Sequence, residues 1–474
     1  LEGALAVGAN WALTEASAGR RLKRDRPDLH DRYVGLLFFT LVGYATLGKG
    51  FAYLGVPPLF IGEIVLILGL ASLLVSGCWI AIATSLPNLL LLTLMVWVMA
   101  RTLPYVREYG IDAPRDSMIV MYGLFALIVT GLLVEKPTSL IRTLTSYSRF
   151  AWFFGWAGGP IYHLTNPGFL TVVVPFQLPQ VRAGEAGVHL AGAAVFMLLG
   201  LGRASRTWWL LLLASVVMVV PSRAAMLSCL VPLALAVILG GKIRRVLPGL
   251  AAGGALLAVA YAANLEVELP LGRSVGPAQM VDNVASLFGR SDASNLDGTK
   301  TWRLRWWEAI RNYTLHGDYF WTGKGFGVNL AESDGFLLEK GASSLRSPHN
   351  GHMSILARAG VPGLILWIAT GVAWYVVLGA AIVRARRQGL ERWACVFIWL
   401  ICYASGALIN ASFDVALEGP MLGIWFWSIF GLGIGAVMVF DAQLALPSRR
   451  HRSRQTAREQ PKRHHDTSDL INLV

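Results

Sequence analysis

Charge is scarce in this chain. Only 15% of its 474 residues are Asp, Glu, Lys or Arg, against about 25% in a typical soluble domain. Hydrophobic residues make up 55% and the mean hydropathy is +0.54. A soluble chain of this length folds as two or three domains with polar surfaces, and too few polar residues are present to coat them. An ordinary cytosolic enzyme and a disordered protein are both excluded. Cysteine is scarce too. Cys78, Cys229, Cys395 and Cys402 all lie in apolar stretches and none forms a CxxC pair. That excludes a secreted disulfide scaffold and reads as small buried side chains. No HExxH, GxSxG or GxxxxGK[ST] pattern occurs and no repeat of 20 to 50 residues is visible. Leu1 to Asn10 lacks a basic start, so no cleavable signal peptide is expected. Leu1 in place of Met reads as a trimmed or engineered start.

What is present is a series of apolar runs of bilayer length, about 20 residues or slightly fewer. They fall near Val34–Leu47, Leu59–Ser76, Trp79–Met99, Ser117–Val134, Leu140–Trp156, Gly187–Leu201, Thr207–Pro221, Ala224–Leu239, Leu247–Asn264, Val361–Val383, Ala394–Ile409 and Met421–Phe440. The expected fold is therefore an all-α polytopic integral membrane protein with twelve transmembrane helices. Cations set its orientation. They crowd the N-terminal arm (Arg20 to Arg32), the loop at Lys242, Arg244 and Arg245, the loop from Arg384 to Arg392, and the tail from Arg449 to Arg463. Twelve spans put all four regions on one side, the cytoplasmic one, with both termini there. The net charge of +13 is thus a sorting signal and no nucleic-acid partner is expected.

Phe169–Val181 is a further apolar stretch, but it is short and holds Pro175 and Pro179. It is read as a re-entrant or interfacial piece on the outer face, because a thirteenth span would invert every basic loop downstream. The expected organisation is a cytoplasmic arm (1–33), nine spans (34–264), a large outer loop (265–360), three spans (361–440) and a basic cytoplasmic tail (441–474). From Leu265 to His349 the loop carries nine Lys/Arg and ten Asp/Glu, so the positive excess is cytoplasmic.

The outer loop packs Trp302, Arg303, Arg305, Trp306, Trp307, His316, Trp321 and His349 into under fifty residues. Tryptophans stack on sugar rings or sit at the lipid headgroup level. Arginines match phosphate oxygens bidentately and stay charged at any relevant pH. Pro348 suits a helix start with His349 in the first turn, where the helix N-terminus disfavours imidazolium. The ordinary reading of such a His is structural. The spacing of His349 and His352 also admits a metal, but no carboxylate partner is near in sequence. Ser222-Arg223 forms an outer turn, read as a headgroup anchor or as a ligand for an anion. Arg203 and Arg206 read as cytoplasmic anchors. Asp414 and Glu418 sit in a short outer loop, where a solvated turn is the stronger reading. Gly323-Lys324-Gly325-Phe326-Gly327 reads as a tight turn.

Taken in order, the Ser222-Arg223 turn, Arg303 with Trp306, Gly325-Phe326-Gly327, and His349-Asn350 followed by Leu356, Gly360, Gly363 and Leu364 resemble the O-antigen ligase and O-antigen polymerase superfamily. So do the Tyr109-Gly110 and Arg115-Asp116 pairs. The resemblance implies a GT-C-type glycosyltransferase of the bacterial inner membrane, with a large periplasmic loop between helices 9 and 10 and the active site on that face. It implies a donor glycan on undecaprenyl diphosphate. For the ligase it implies a lipid A–core oligosaccharide hydroxyl as acceptor. It also implies a metal-independent, nucleotide-free reaction with no cofactor. Lipids are the other expected partners, and the protein is expected to act as a monomer.

This chemistry assigns roles. His349 is the expected general base. Arg223, Arg303 and, with less support, Arg305 are the expected diphosphate ligands, and Trp302, Trp306 and Asn350 the candidate sugar or interface contacts. Arg305 shares a face with Arg303 in a strand but sits about 200° away in a helix. A polymerase or a protein O-glycosylating enzyme of the same superfamily differs only in acceptor; the aromatic loop favours the ligase. A transporter or flippase would carry paired charges deep in its spans and inverted repeats. Here Glu63 is the main acidic residue in a span, and no half-to-half symmetry is evident.

Overall fold

The computed structural model describes residues 28–78, 82–165, 180–220, 222–263, 267–269, 273–276, 294–337 and 345–445. The N-terminal arm before residue 28, the tail after 445, much of the loop between 264 and 293, and all but the last two residues of Phe169–Val181 lie outside the described residues.

Among the described residues the regular structure is helical apart from two short antiparallel pairs, β1 (Gly55–Val56) with β2 (Leu59–Phe60) and β3 (Val267–Leu269) with β4 (Arg273–Val275). In chain order the helices are α1 (Leu29–Leu47), α2 (Lys49–Ala52), α3 (Ile61–Val75), α4 (Leu86–Tyr109), α5 (Asp112–Met121), α6 (Leu124–Glu135), α7 (Thr138–Leu164) and α8 (Ala183–Leu198). Then come α9 (Arg206–Val219), α10 (Arg223–Leu239), α11 (Ile243–Ala262), α12 (Ser294–Leu315), α13 (Leu330–Ser333), α14 (Gly351–Arg387), α15 (Glu391–Ala411) and α16 (Pro420–Ala445). Every expected apolar run overlaps one of these helices. The third differs most: its helix starts only at Leu86, with Pro87 in the first turn where a missing N–H costs nothing.

Among the described residues, five helices are long and apolar enough to cross a bilayer: Leu86–Tyr109, Asp112–Glu135, Gly351–Arg387, Glu391–Ala411 and Pro420–Leu444. Four more, Ile61–Val75, Ala183–Leu198, Arg206–Val219 and Arg223–Leu239, are apolar but shorter. Large apolar side chains such as Leu74, Val96, Leu103, Leu210, Leu213, Ile365, Val372 and Val376 face outward. Such a belt suits lipid and would be a liability in water. The chain thus has the several long apolar helices of a polytopic membrane protein.

The centre is built on α8, α15 and α16. α8 packs against α7, α10 and α15, while α16 packs on α6 and α14 on α4. Aromatic side chains fill this core: Tyr147, Phe150, Trp399, Tyr403 and Trp425 meet tilted or edge to face at 4.5–6.4 Å. Two of their polar atoms are hydrogen-bonded: Trp425 Nε1 donates to the Leu41 carbonyl at 2.8 Å and Tyr403 Oη meets His189 Nδ1 at 2.7 Å.

α14 is broken at Gly360 (φ 70°, ψ −171°), and Pro362 follows. The carbonyls released by the break find donors in the glycine-rich turn. Lys324 N donates to Ala357 O at 2.7 Å and Gly325 N to Arg358 O at 3.0 Å. Trp97 Nε1 donates to Ala359 O at 2.9 Å. At Gly323 (φ 58°) a Cβ would lie 2.4 Å from the Arg358 carbonyl carbon, so only glycine lets the turn approach. The membrane run of α14 restarts at Val361, where the apolar pattern begins. A short helix of residues 351–359 precedes it.

Candidate functional site

α12 explains why the loop is rich in tryptophan. Trp302, Trp306 and Ile310 recur every fourth residue and make one stripe. Trp306 and Ile310 bury against Leu330, Ala331, Leu356 and Ala357, with Trp302 packed at the edge. Trp306 is fully buried and stacks on Phe336 at 5.3 Å, while its Nε1 donates to Asp334 Oδ2 at 2.7 Å. Trp302 is half-buried against Trp306. Trp306 therefore has no exposed surface with which to meet a sugar; it holds the loop's own core. The neighbouring stripe, Arg303 and Trp307, faces the other way. Arg303 Nη1 donates to Phe413 O at 2.9 Å and Trp307 Nε1 to Pro348 O at 2.9 Å. Arg305 is exposed on a third face of the same helix, apart from Arg303, as helical geometry requires.

The segment before α14 holds His349. The helix starts at Gly351, not at Pro348, because the Asn350 side-chain Oδ1 accepts from the N–H groups of His352 and Met353 at 3.0 and 3.1 Å. Asn350 is thus a buried helix cap, and His349 lies just outside the first turn. His349 also has a φ of 50°, a left-handed conformation that costs an ordinary residue roughly 1–2 kcal/mol. The Trp307 bond to Pro348 and the Asn350 cap pin the backbone on both sides of it.

Asp414 joins these pieces. It lies in the short connection between α15 and α16, 3.7 Å from His349 Nδ1. Arg182, at the start of α8, donates from Nη1 to both Asp414 carboxylate oxygens at 3.1 and 3.0 Å. Burial opposes ionisation of Asp414, but the neighbouring His349 imidazole and the Arg182 charge outweigh it and hold the carboxyl below its ordinary value. Burial lowers the pKa of the Arg303 guanidinium; Asp414 counters this and the nearby positive charge of Arg223 adds to it. Arg223, the first residue of α10, therefore shares a field with Arg303 and Asp414. Glu418, further along the same connection, accepts from Ser354 Oγ at 2.6 Å.

The structure thus brings His349, Arg303 and Arg182 together around Asp414, with Arg223 near enough to Arg303 to act on its charge, while Arg305, Trp306 and Asn350 have other surroundings. Asp414 is not a solvated turn residue. Its partners come from two remote elements, and no local pattern announces them. Arg182 was visible only as a cation flanking an apolar run. His352 accepts from Trp367 Nε1 at 3.0 Å, so the two imidazoles have different partners. Among the described residues no three His, Cys, Asp or Glu side chains cluster as metal ligands.

No curated protein matches the chain. A family model described as O-antigen ligase matches residues 208–368. The matched segment holds Arg223, Arg303, Arg305, His349 and Asn350, and over it the chain is similar to that family.

Proposed function

We propose that the protein transfers an O-antigen glycan from undecaprenyl diphosphate to a sugar hydroxyl of the lipid A–core oligosaccharide. The observation that carries this reading is the gathering of an imidazole, a carboxylate and three guanidinium groups from five separate parts of the chain. The family match supports the broad chemistry. In the step proposed, His349 takes the proton of the acceptor hydroxyl, whose oxygen attacks the anomeric carbon. The bond from that carbon to the diphosphate oxygen breaks, and undecaprenyl diphosphate leaves with the electron pair. Arg223 and Arg303 offset the charge that develops on the phosphate oxygens. Asp414, steadied by Arg182, orients the imidazole through Nδ1. A single displacement inverts the anomeric centre, and the arginines supply positive charge without calling on a metal.

The same reading sets the membrane sidedness. Arg384, Arg386 and Arg387 end α14, and Lys242 precedes α11. His349 precedes the start of α14. The positive-inside rule then favours twelve spans with both termini cytoplasmic and the loop between the ninth and tenth spans on the outer face; the family resemblance adds the GT-C type and the periplasmic side of the inner membrane.

Purified protein incubated with lipid-linked glycan and separate acceptors tests the proposal. Transfer to the lipid A–core acceptor is expected with chelator present. Elongation of the lipid-linked glycan alone would reassign the protein to the polymerases of the superfamily. His349→Ala is expected to abolish transfer while inserting normally; full activity in that variant removes the base assignment.

A further inference from the structure

A second charged cluster supports the segment that carries His349. Asp116 lies on α5, away from the reacting groups, with only 9% of its side chain exposed. Its Oδ2 receives two guanidinium groups, Arg346 Nη2 at 3.2 Å and Arg358 Nη2 at 3.1 Å. Arg346 stands three residues before His349. Arg358 stands at the far end of the short helix that follows His349, and its side chain is 2% exposed. One oxygen therefore ties down the chain on both sides of the imidazole.

Each arginine also carries a second load. Arg346 donates to Gly327 O at 2.8 Å and pairs with Asp112 at 3.1 Å. Arg358 donates to Val328 O at 2.9 Å. Leu330 N returns a bond to Arg346 O at 3.2 Å. The residues from Gly327 to Leu330 and from Arg346 to Arg358 are thus laced to α5 as one body. His349 needs such support, because its left-handed backbone is not self-maintaining.

We infer that Asp116 is a positioning residue for the transfer reaction, holding the His349 segment in register with Asp414 through Arg346 and Arg358. The inference rests on the proposed role of His349. It does not place Asp116 in contact with substrate. Releasing the clamp lets the imidazole drift from its working position, and a displacement of about 1 Å is enough to slow a reaction about 100-fold.

The test uses the full-length protein in detergent or liposomes, with lipid-linked glycan and acceptor varied separately. Asp116→Asn keeps the volume and removes the charge. It is expected to lower kcat by about 10- to 100-fold, with KM for donor and acceptor both within about two-fold of the parent. Asp116→Glu is expected to recover part of the lost kcat. Arg346→Gln leaves the Arg358–Asp116 pair in place and so guards against simple misfolding of the first variant; it is expected to show the same fall in kcat at unchanged KM. Rates are taken per folded molecule, from monodisperse protein. A merely structural role lowers the yield and leaves kcat alone. Wild-type kcat in either folded variant, or a raised KM at constant kcat, overturns the inference. If the unmodified protein transfers no glycan, the reading of the site falls and this inference falls with it. If it transfers glycan and the variants match it, only this inference falls.

Discussion

At the scale of single residues, the site depends on charges that satisfy one another. Arg303→Ala and Arg223→Ala are expected to cut transfer by about 10²- to 10³-fold, the usual effect of losing a group that meets developing charge. Lysine at either position should restore only part of it, since an ammonium cannot reproduce the planar fork. Titration of donor in a steady-state assay checks both. Asp414 offers a test by pH. Its carboxyl is held below the ordinary 3.8 because the His349 interaction and Arg182 outweigh burial. Such a group stabilises the fold fully above its unfolded pKa and loses that contribution as pH falls through the lower, folded value. Melting curves of the parent and of Asp414→Asn should therefore differ at neutral pH and converge in acid below the carboxylate range. A constant gap would remove the ion pair as its source.

At the scale of elements, the break in α14 is the feature to probe. A Cβ at Gly360 would lie 2.6 Å from the Phe320 carbonyl oxygen, and the φ of 70° disfavours any side chain. Gly360→Ala is expected to destabilise the protein by roughly 1–3 kcal/mol, read as a lower melting temperature. The helices themselves were legible in the sequence, because the runs from Leu36 onward are apolar enough to declare themselves. The helical α12 was half legible. Its tryptophans suggested sugar contacts, yet the four-residue spacing of Trp302, Trp306 and Ile310 is that of a buried stripe. The start of α14 was misjudged by three residues, Gly351 for Pro348, since only the Asn350 side-chain bonds to the His352 and Met353 N–H groups fix the cap.

At the scale of the whole molecule, Arg223, Arg303 and His349 were legible as residue types near predicted outer turns; Asp414 was legible in its loop but only as a solvated turn, and Arg182 was not singled out. Their pairing spans 232 positions of sequence, and nothing local encodes so distant a partner. Sidedness is testable at this scale. Single cysteines placed at Trp321 and at Arg387, in a background lacking the four native cysteines, should label from opposite faces of an intact membrane. Labelling of both from one face would invert the topology proposed. The late position of Phe413 and Asp414 carries a further consequence. Arg303 reaches for one and Arg182 for the other, and both acceptors belong to the connection leading into the last helix. Neither cation can meet its acceptor there until the connection between α15 and α16 has been synthesised, so this cluster closes only late in translation, long after Arg182 and Arg303 themselves have been made.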